Sequence, residues 1–171
     1  MTPEMAQGAV QFLSHSIENE AKTTAKVLAA VPAGQEEYRP HEKSMAALEL
    51  CWHTASTEVW FFNCIADGAF GPGGKMPENI KTAADVLAFY NEEHPKALAR
   101  VRAMDAAACA KVIDFFGFMN VPAVVYLNLA ANHAIHHRGQ LSVYLRPMGV
   151  KVPGIYGPSG DEPMPMPAEA K

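Results

Sequence analysis

The sequence predicts an all-α protein, a four-helix bundle followed by a proline-rich extended C-terminal tail. Apolar residues recur at helical spacing along four long segments, and neither strand-type alternation nor an internal repeat interrupts them. Prolines at five positions after residue 150 prevent the last segment from forming a helix. With 171 residues, of which 49% are hydrophobic, the chain can bury one core. We predict a bundle domain at 1–150 and a tail at 151–171.

The first two helices have clear start or stop signals. Helix one is expected from about residue 3 to residue 31, because Thr2 is a good N-cap, Pro3 fits the first helical position and Glu4 complements the helix dipole. Helix two is expected from about residue 41 to residue 66, where Asp67-Gly68 ends the periodic pattern.

The second half of the chain predicts two more helices joined by a crossover. Helix three is expected from Thr82, a weak capping-box start with Asp85, to about Met104. Pro95 predicts a kink within it, and a break there would leave only three helices to carry the core. An aromatic and β-branched stretch at 111–118 favours a crossover with extended character. Helix four is expected from Pro122 to about Arg146.

Composition excludes several classes of function. The net charge is −4 with signs interspersed, so no basic stripe is present to bind nucleic acid. No signal-peptide pattern or membrane-spanning apolar run occurs, so we expect a soluble cytoplasmic protein without a membrane partner. Three widely spaced cysteines predict neither a disulfide framework nor a thiolate zinc site. The oligomeric state is left open, a homodimer included.

The most informative residues are two histidines on helix four. His133 and His137 are four residues apart, the spacing at which a helix offers two imidazoles to one ion, although such a pair alone is weak evidence. Their helix face is inward and apolar, and buried imidazoles need polar partners that a metal would supply. Residues within about 40° of His133 on a helical projection are Tyr126, Leu129, Gln140 and Tyr144.

His53 is the third candidate ligand because of its depth in helix two. It lies near the midpoint of that helix, as His133 and His137 do in helix four, so all three reach the same level whichever way the helices run. The sequence therefore predicts one divalent metal site formed by these three. His136 can replace a ligand. We expect the remaining histidines to be solvated or to cap helices: His15, His41 and His94.

Residues beside the ligands have several candidate roles. Glu49, one turn before His53, can orient that imidazole, act as a base on a metal-bound water, or point to solvent. Gln140 lies on the metal face and can hydrogen-bond a ligand or substrate. Arg138 points away from the metal and is expected to form a salt bridge with a neighbouring helix.

Several motifs resemble those of a known family. The segment His133-Ala-Ile-His-His-Arg-Gly-Gln-Leu141 resembles the HxxxHRGQ signature of the DinB/YfiT-like superfamily of metalloenzymes. His53 with Glu58 and Trp60-Phe61 is similar to the family's helix-two pattern, and 152–158 is similar to tails in one subgroup. The resemblance implies a four-helix bundle of unusual connectivity with a nickel- or zinc-like ion on the positions 53, 133 and 137.

Members of that family include thiol-dependent S-transferases, an isomerase that uses a small thiol, and hydrolases. The leading hypothesis is a metal-dependent enzyme that activates a low-molecular-weight thiol or water against a small-molecule substrate, in a pocket lined by Trp60, Tyr126 and Tyr144. The alternative is a non-catalytic, stress-associated protein whose metal is structural, with a fourth protein ligand such as Glu49 or His136. A di-iron site is excluded because no Glu-x-x-His pair occurs.

Overall fold

The computed structural model describes residues 1–163, which form four long helices, one short helix and one β-hairpin. The four long helices confirm the predicted bundle. In chain order the elements are α1 (Pro3–Ala29), α2 (Ala47–Asp67), α3 (Ala83–Arg102), α4 (Ala106–Ala110), β1 (Val112–Phe115), β2 (Met119–Pro122) and α5 (Ala123–Leu145).

The predicted caps of α1 and α3 are present. The Thr2 hydroxyl accepts a hydrogen bond from the Met5 amide at 3.3 Å, and Pro3 occupies the first turn. At α3 the Asp85 amide donates to the Thr82 hydroxyl, and the Asp85 carboxylate accepts from the Thr82 amide. Both helices therefore begin where local side-chain chemistry satisfies their free amides.

The predicted start of α2 was wrong by six residues, because the helix begins at Ala47 and not at residue 41. Its first amides are satisfied by the preceding loop: the Ala47 amide donates to the Tyr38 carbonyl and the Leu48 amide to the Glu36 carbonyl. The Glu49 carboxylate also accepts from the Ala46 amide at 2.7 Å. These contacts with the preceding loop make the helix begin later than its apolar periodicity indicated.

Pro95 does not break α3, which continues from Ala83 to Arg102. The crossover after it holds more structure than expected: Asp105 caps the short α4, and the extended stretch forms β1 paired antiparallel with β2. Ile113 faces Val121 in this hairpin. The bundle thus keeps four long helices, with the hairpin leading into α5.

The bundle has two apolar clusters, one at each end. α2 and α5 each pack against both of their neighbours, and α1 likewise packs against α3 and α5. The start of α1 and the start of α5 lie in the first cluster, whereas the starts of α2 and α3 lie in the second. The chain therefore runs up through α1, down through α2 and α3, and up through α5. This makes α2 and α5 antiparallel neighbours.

Arg138 joins α5 to α1 inside the bundle, as predicted. Its side chain is 1% exposed, and one guanidinium nitrogen donates to the Glu20 carboxylate at 2.6 Å. The second terminal nitrogen donates to the Tyr156 hydroxyl at 2.8 Å. The predicted salt bridge to a neighbouring helix is confirmed, and the tail contributes to it.

The tail packs on the bundle as far as Asp161, whose carboxylate pairs with Arg146 at 2.7 Å. Val152 and Ile155 contact the second apolar cluster, and the Ser159 hydroxyl donates to the Val152 carbonyl to close a turn. Residues 164–171, with Pro165 and Pro167, lie outside the described residues. Across 1–163, every helix is too short or too polar to span a lipid bilayer.

Candidate metal centre

Three imidazoles converge where α2 faces α5. The Nε2 atom of His137 lies 3.1 Å from the Nε2 atom of His53 and 3.1 Å from that of His133. One nitrogen from each ring falls within 4.8 Å of the others. The structure thus brings together the three histidines that the sequence predicts as ligands.

These nitrogens have the spacing of a ligand set. With metal–nitrogen bonds of about 2.1 Å, two nitrogens bound to one ion lie about 3.0 to 3.4 Å apart in octahedral or tetrahedral geometry. The two distances of 3.1 Å fall in that range. The donor set is therefore compatible with a divalent ion, and the cluster can hold one.

Two neighbouring side chains orient the rings from their opposite nitrogens. Nδ1 of His137 lies 2.7 Å from the Gln140 amide oxygen, and Nδ1 of His53 lies 3.3 Å from the Thr57 hydroxyl. A proton on Nδ1 that is donated to such an oxygen leaves the Nε2 lone pair free for a metal. The sequence placed Gln140 on this face, but it did not assign this role to Thr57, four residues after His53.

All three imidazoles are held in the neutral form that metal ligation requires. Burial, together with the repulsion that protonated His137 and His53 would exert, lowers the pKa of His133 to about 4. Burial also lowers the pKa of His53 and of His137, although the hydrogen bond that His137 donates to Gln140 opposes this effect at His137. At neutral pH the rings therefore offer lone pairs without first losing protons.

We expect Gln140→Leu to weaken zinc binding by about tenfold, because the variant loses the acceptor that fixes the His137 ring. Gln140→Glu keeps an oxygen at the same position and is the matched control. Competition with a chromophoric chelator measures both affinities. Equal affinities for the leucine and glutamate variants would show that the contact does not orient the ligand.

The other polar candidates lie elsewhere. The Glu49 carboxylate is engaged at the start of α2 by the Ala46 amide and by Arg39, whose guanidinium is 3.3 Å away. His136 is exposed, and within 1–163 the three-nitrogen cluster includes neither residue. Glu49 therefore lies at the start of α2, outside the nitrogen cluster. The side chain that contacts Nδ1 of His53 is that of Thr57.

Two cavities flank the histidine cluster. The first, of about 490 Å³, is lined by His137, Gln140, Tyr144 and Lys43 among other residues. The second, of about 590 Å³, is lined by His53 and Trp60 among other residues. Trp60 and Tyr144, both expected in one pocket, thus belong to different cavities, one beside His53 and one beside His137.

Tyr126 lies in neither cavity. Its side chain is fully buried, and its hydroxyl is 3.0 Å from the Ile113 carbonyl and 2.9 Å from the Met119 carbonyl. It therefore ties the start of α5 to both strands of the hairpin. This placement corrects the expectation that Tyr126 lines the substrate pocket: an inward phenol can satisfy its hydroxyl on backbone.

We expect Tyr126→Phe to lower the free energy of unfolding by about 1 kcal/mol, because buried carbonyls lose their donor. Zinc content should stay at the level of the unmodified protein. Chemical denaturation measures stability, and elemental analysis measures zinc content. Tyr144→Phe, which changes a residue that lines the cavity beside His137, is the comparison variant. A loss of zinc in Tyr126→Phe, with stability unchanged, would contradict the structural role.

A second buried polar cluster was missed from the sequence. His94 is 4% exposed, and its Nε2 lies 3.6 Å from the Glu58 carboxylate, which also accepts a hydrogen bond from the Tyr90 hydroxyl at 2.7 Å. The expectation that His94 is solvated or caps a helix was wrong. The available signal was the four-residue spacing of Tyr90 and His94, which places both on one face of α3.

Comparisons with known proteins agree with this fold. A sequence model of the DinB family matches residues 5–167. The uncharacterised Bacillus subtilis protein YjoA is 32% identical over 142 residues, covering 81% of this chain and 90% of its own length. YrdA of the same organism is 29% identical over 160 residues, covering 89% and 92% respectively.

Solved structures show the same architecture. The crystal structure of the DinB-like protein YjoA superposes with a TM-score of 0.71 at 27% identity, covering 84% of this chain and 96% of that one. A DinB-like protein from Bacillus cereus has a TM-score of 0.70 at 21% identity, with coverage of 84% and 95%, and supports the fold alone.

Proposed function

The chain belongs to the DinB family, and from that membership and the histidine cluster we propose that it is a metal-dependent enzyme. The reaction is transfer of a small thiol to a small substrate, or hydrolysis of that substrate. The observation that carries the proposal is the convergence of three neutral imidazole nitrogens between two cavities. Zinc and nickel are the ions that we propose for the site.

The residues have distinct tasks in this proposal. His53, His133 and His137 would hold the ion, while Thr57 and Gln140 fix two of the rings through Nδ1. An ion on three neutral ligands keeps its full positive charge and acidifies a bound water or thiol at neutral pH. The cavities beside His53 and His137 would give access for two reactants.

A thiol nucleophile would come from a cosubstrate, because the chain's own thiols are poorly suited. The cysteines at 51, 64 and 109 are free and buried. Burial raises the pKa of Cys51 to about 12 and also raises the pKa of the Cys64 and Cys109 thiols. Such thiols stay protonated at neutral pH and are weak nucleophiles.

A purely structural ion is less well supported. Structural zinc sites are closed by four protein ligands, whereas catalytic sites keep a position open. Over residues 1–163 the cluster offers three histidines, and both candidates for a fourth ligand, Glu49 and His136, lie outside it. A three-ligand set favours the catalytic alternative.

The proposal is tested with zinc- or nickel-loaded protein, cysteamine as the thiol and 1-chloro-2,4-dinitrobenzene as a chromogenic electrophile. We expect a rate above the uncatalysed reaction that is lost in His137→Ala and kept in His136→Ala, the exposed neighbour. A parallel assay with p-nitrophenyl acetate and no thiol measures hydrolysis. Equal rates for the His137→Ala variant and the unmodified protein in both assays would overturn the proposal.

A further inference from the structure

We propose that the cavity beside His53 binds the electrophilic substrate, and that this substrate is an uncharged molecule with an apolar ring. The inference rests on the proposed function and adds the class of substrate. Four aromatic side chains line the cavity together with the ligand His53: Trp52, Trp60, Phe89 and Phe116. Its volume of about 590 Å³ lies within the usual range for small-molecule sites.

The charge of the cavity wall sets the substrate class. Among the described residues that line it, none is Asp, Glu, Lys or Arg, and the neutral polar groups are Ser56, Thr57 and Asn63. An anionic substrate entering this space would lose hydration without gaining a counter-ion from any side chain that lines it. The cavity on the His137 side differs, because Lys43 contributes to it. The cavity beside His53 therefore favours an uncharged ligand, whereas the cavity beside His137 offers a positive charge.

The aromatic wall is held in position by its own contacts. The Trp52 and Phe89 rings lie 4.8 Å apart at 50° to each other, which joins α2 to α3 at the cavity. The indole nitrogen of Trp60 donates to the Gly71 carbonyl at 3.1 Å. With that donor already satisfied, Trp60 offers its apolar ring surface to a ligand. A planar ring is the ligand shape that such surfaces bind best.

Phe116 completes the wall from the tip of the hairpin. It adopts a left-handed backbone angle, φ 52°, which is unusual for a residue other than glycine, and the next residue, Gly117, has φ 77°. The Asp114 carboxylate accepts from the Gly117 amide at 3.1 Å and supports this turn. Phe116 lines the cavity, whereas Phe118 is 88% exposed and does not. The turn thus directs one of its two aromatic residues to the site.

The test compares 2-naphthol, an uncharged ring at pH 7, with 2-naphthalenesulfonate, an anion of the same ring, by titration calorimetry. We expect the metal-free protein to bind naphthol at least about tenfold more tightly than the sulfonate. Phe116→Asn should weaken naphthol binding by about fivefold, because one aromatic wall is lost. Phe118→Asn is the matched control and should leave it unchanged. Asparagine tolerates the left-handed backbone, so the turn is preserved.

Two results would overturn the inference: equal affinity for naphthol and the sulfonate, or equal effects of Phe116→Asn and Phe118→Asn. Turnover of cysteamine and the chloroarene by metal-loaded protein is measured separately. If naphthol binds as expected but turnover is absent, the proposed function fails and the ligand class of the cavity stands. If turnover occurs and the sulfonate binds as tightly as naphthol, the inference alone fails.

Discussion

Replacing His53 with alanine is expected to weaken zinc binding by about 100-fold or more, since even the loss of a residue that only orients a ligand costs 10- to 100-fold. His53 supplies the α2 side of the cluster, with its Nε2 3.1 Å from that of His137. The two remaining ligands belong to a single helix, α5, and leave an ion largely exposed to water. Elemental analysis after dialysis and a competitive chelator titration measure the loss.

His136→Ala is the control for this substitution, because His136 is exposed and its side chain lies outside the cluster. Its zinc content should equal that of the unmodified protein. Circular dichroism before the titration checks that both variants keep the helical fold. Equal zinc content in His53→Ala and His136→Ala would break the three-ligand assignment, whatever the fate of the enzymatic proposal.

Replacing Arg138 with alanine is expected to reduce the free energy of unfolding by about 3 to 5 kcal/mol, the range for breaking a buried ion pair. The guanidinium is 1% exposed and donates to Glu20 and to Tyr156, so its removal leaves the carboxylate without its cation. It also removes the bonds that join α5 to α1 and to the tail, while the Tyr156 hydroxyl can still donate to Glu20. Urea denaturation measures the change.

Arg100→Ala provides the comparison at the surface. Arg100 pairs with Asp67 at 2.6 Å, but both side chains are about half exposed, at 47% and 59%. An exposed pair of this kind contributes at most about 1 kcal/mol. Losses of equal size in the two variants would show that the Arg138 cluster contributes no more than a surface salt bridge.

The level of the histidine site in the bundle could be predicted from the sequence although the predicted start of α2 was wrong. The midpoint argument for His53 relied on a helix that started too early. In the structure His53 lies six residues from the start of α2, and His137 lies eight residues before the end of α5. Because α2 and α5 are antiparallel, both distances are measured from the same end of the bundle. The level of the site follows from these matched distances.

What could not be predicted depends on contacts between distant segments. The helical projection placed Tyr126 on an inward face, but only the fold shows that its hydroxyl meets the hairpin carbonyls and not a cavity. The role of Glu49 could not be predicted either, because its carboxylate caps a helix whose start is fixed by the loop at 36–38. His94 shares one face of α3 with Tyr90, but only the fold shows that it contacts Glu58 and Phe62 of α2.

The distance in sequence between the candidate ligands affects when the chain can bind metal and how a bound ion alters its unfolding. His53 and His137 are 84 residues apart, so an ion held between them would close a very long loop. A growing polypeptide that has not yet reached residue 133 carries one of the three ligands and has no site. Acquisition of metal would therefore follow synthesis of α5, and a bound ion would act as a cross-link that resists unfolding of the finished protein.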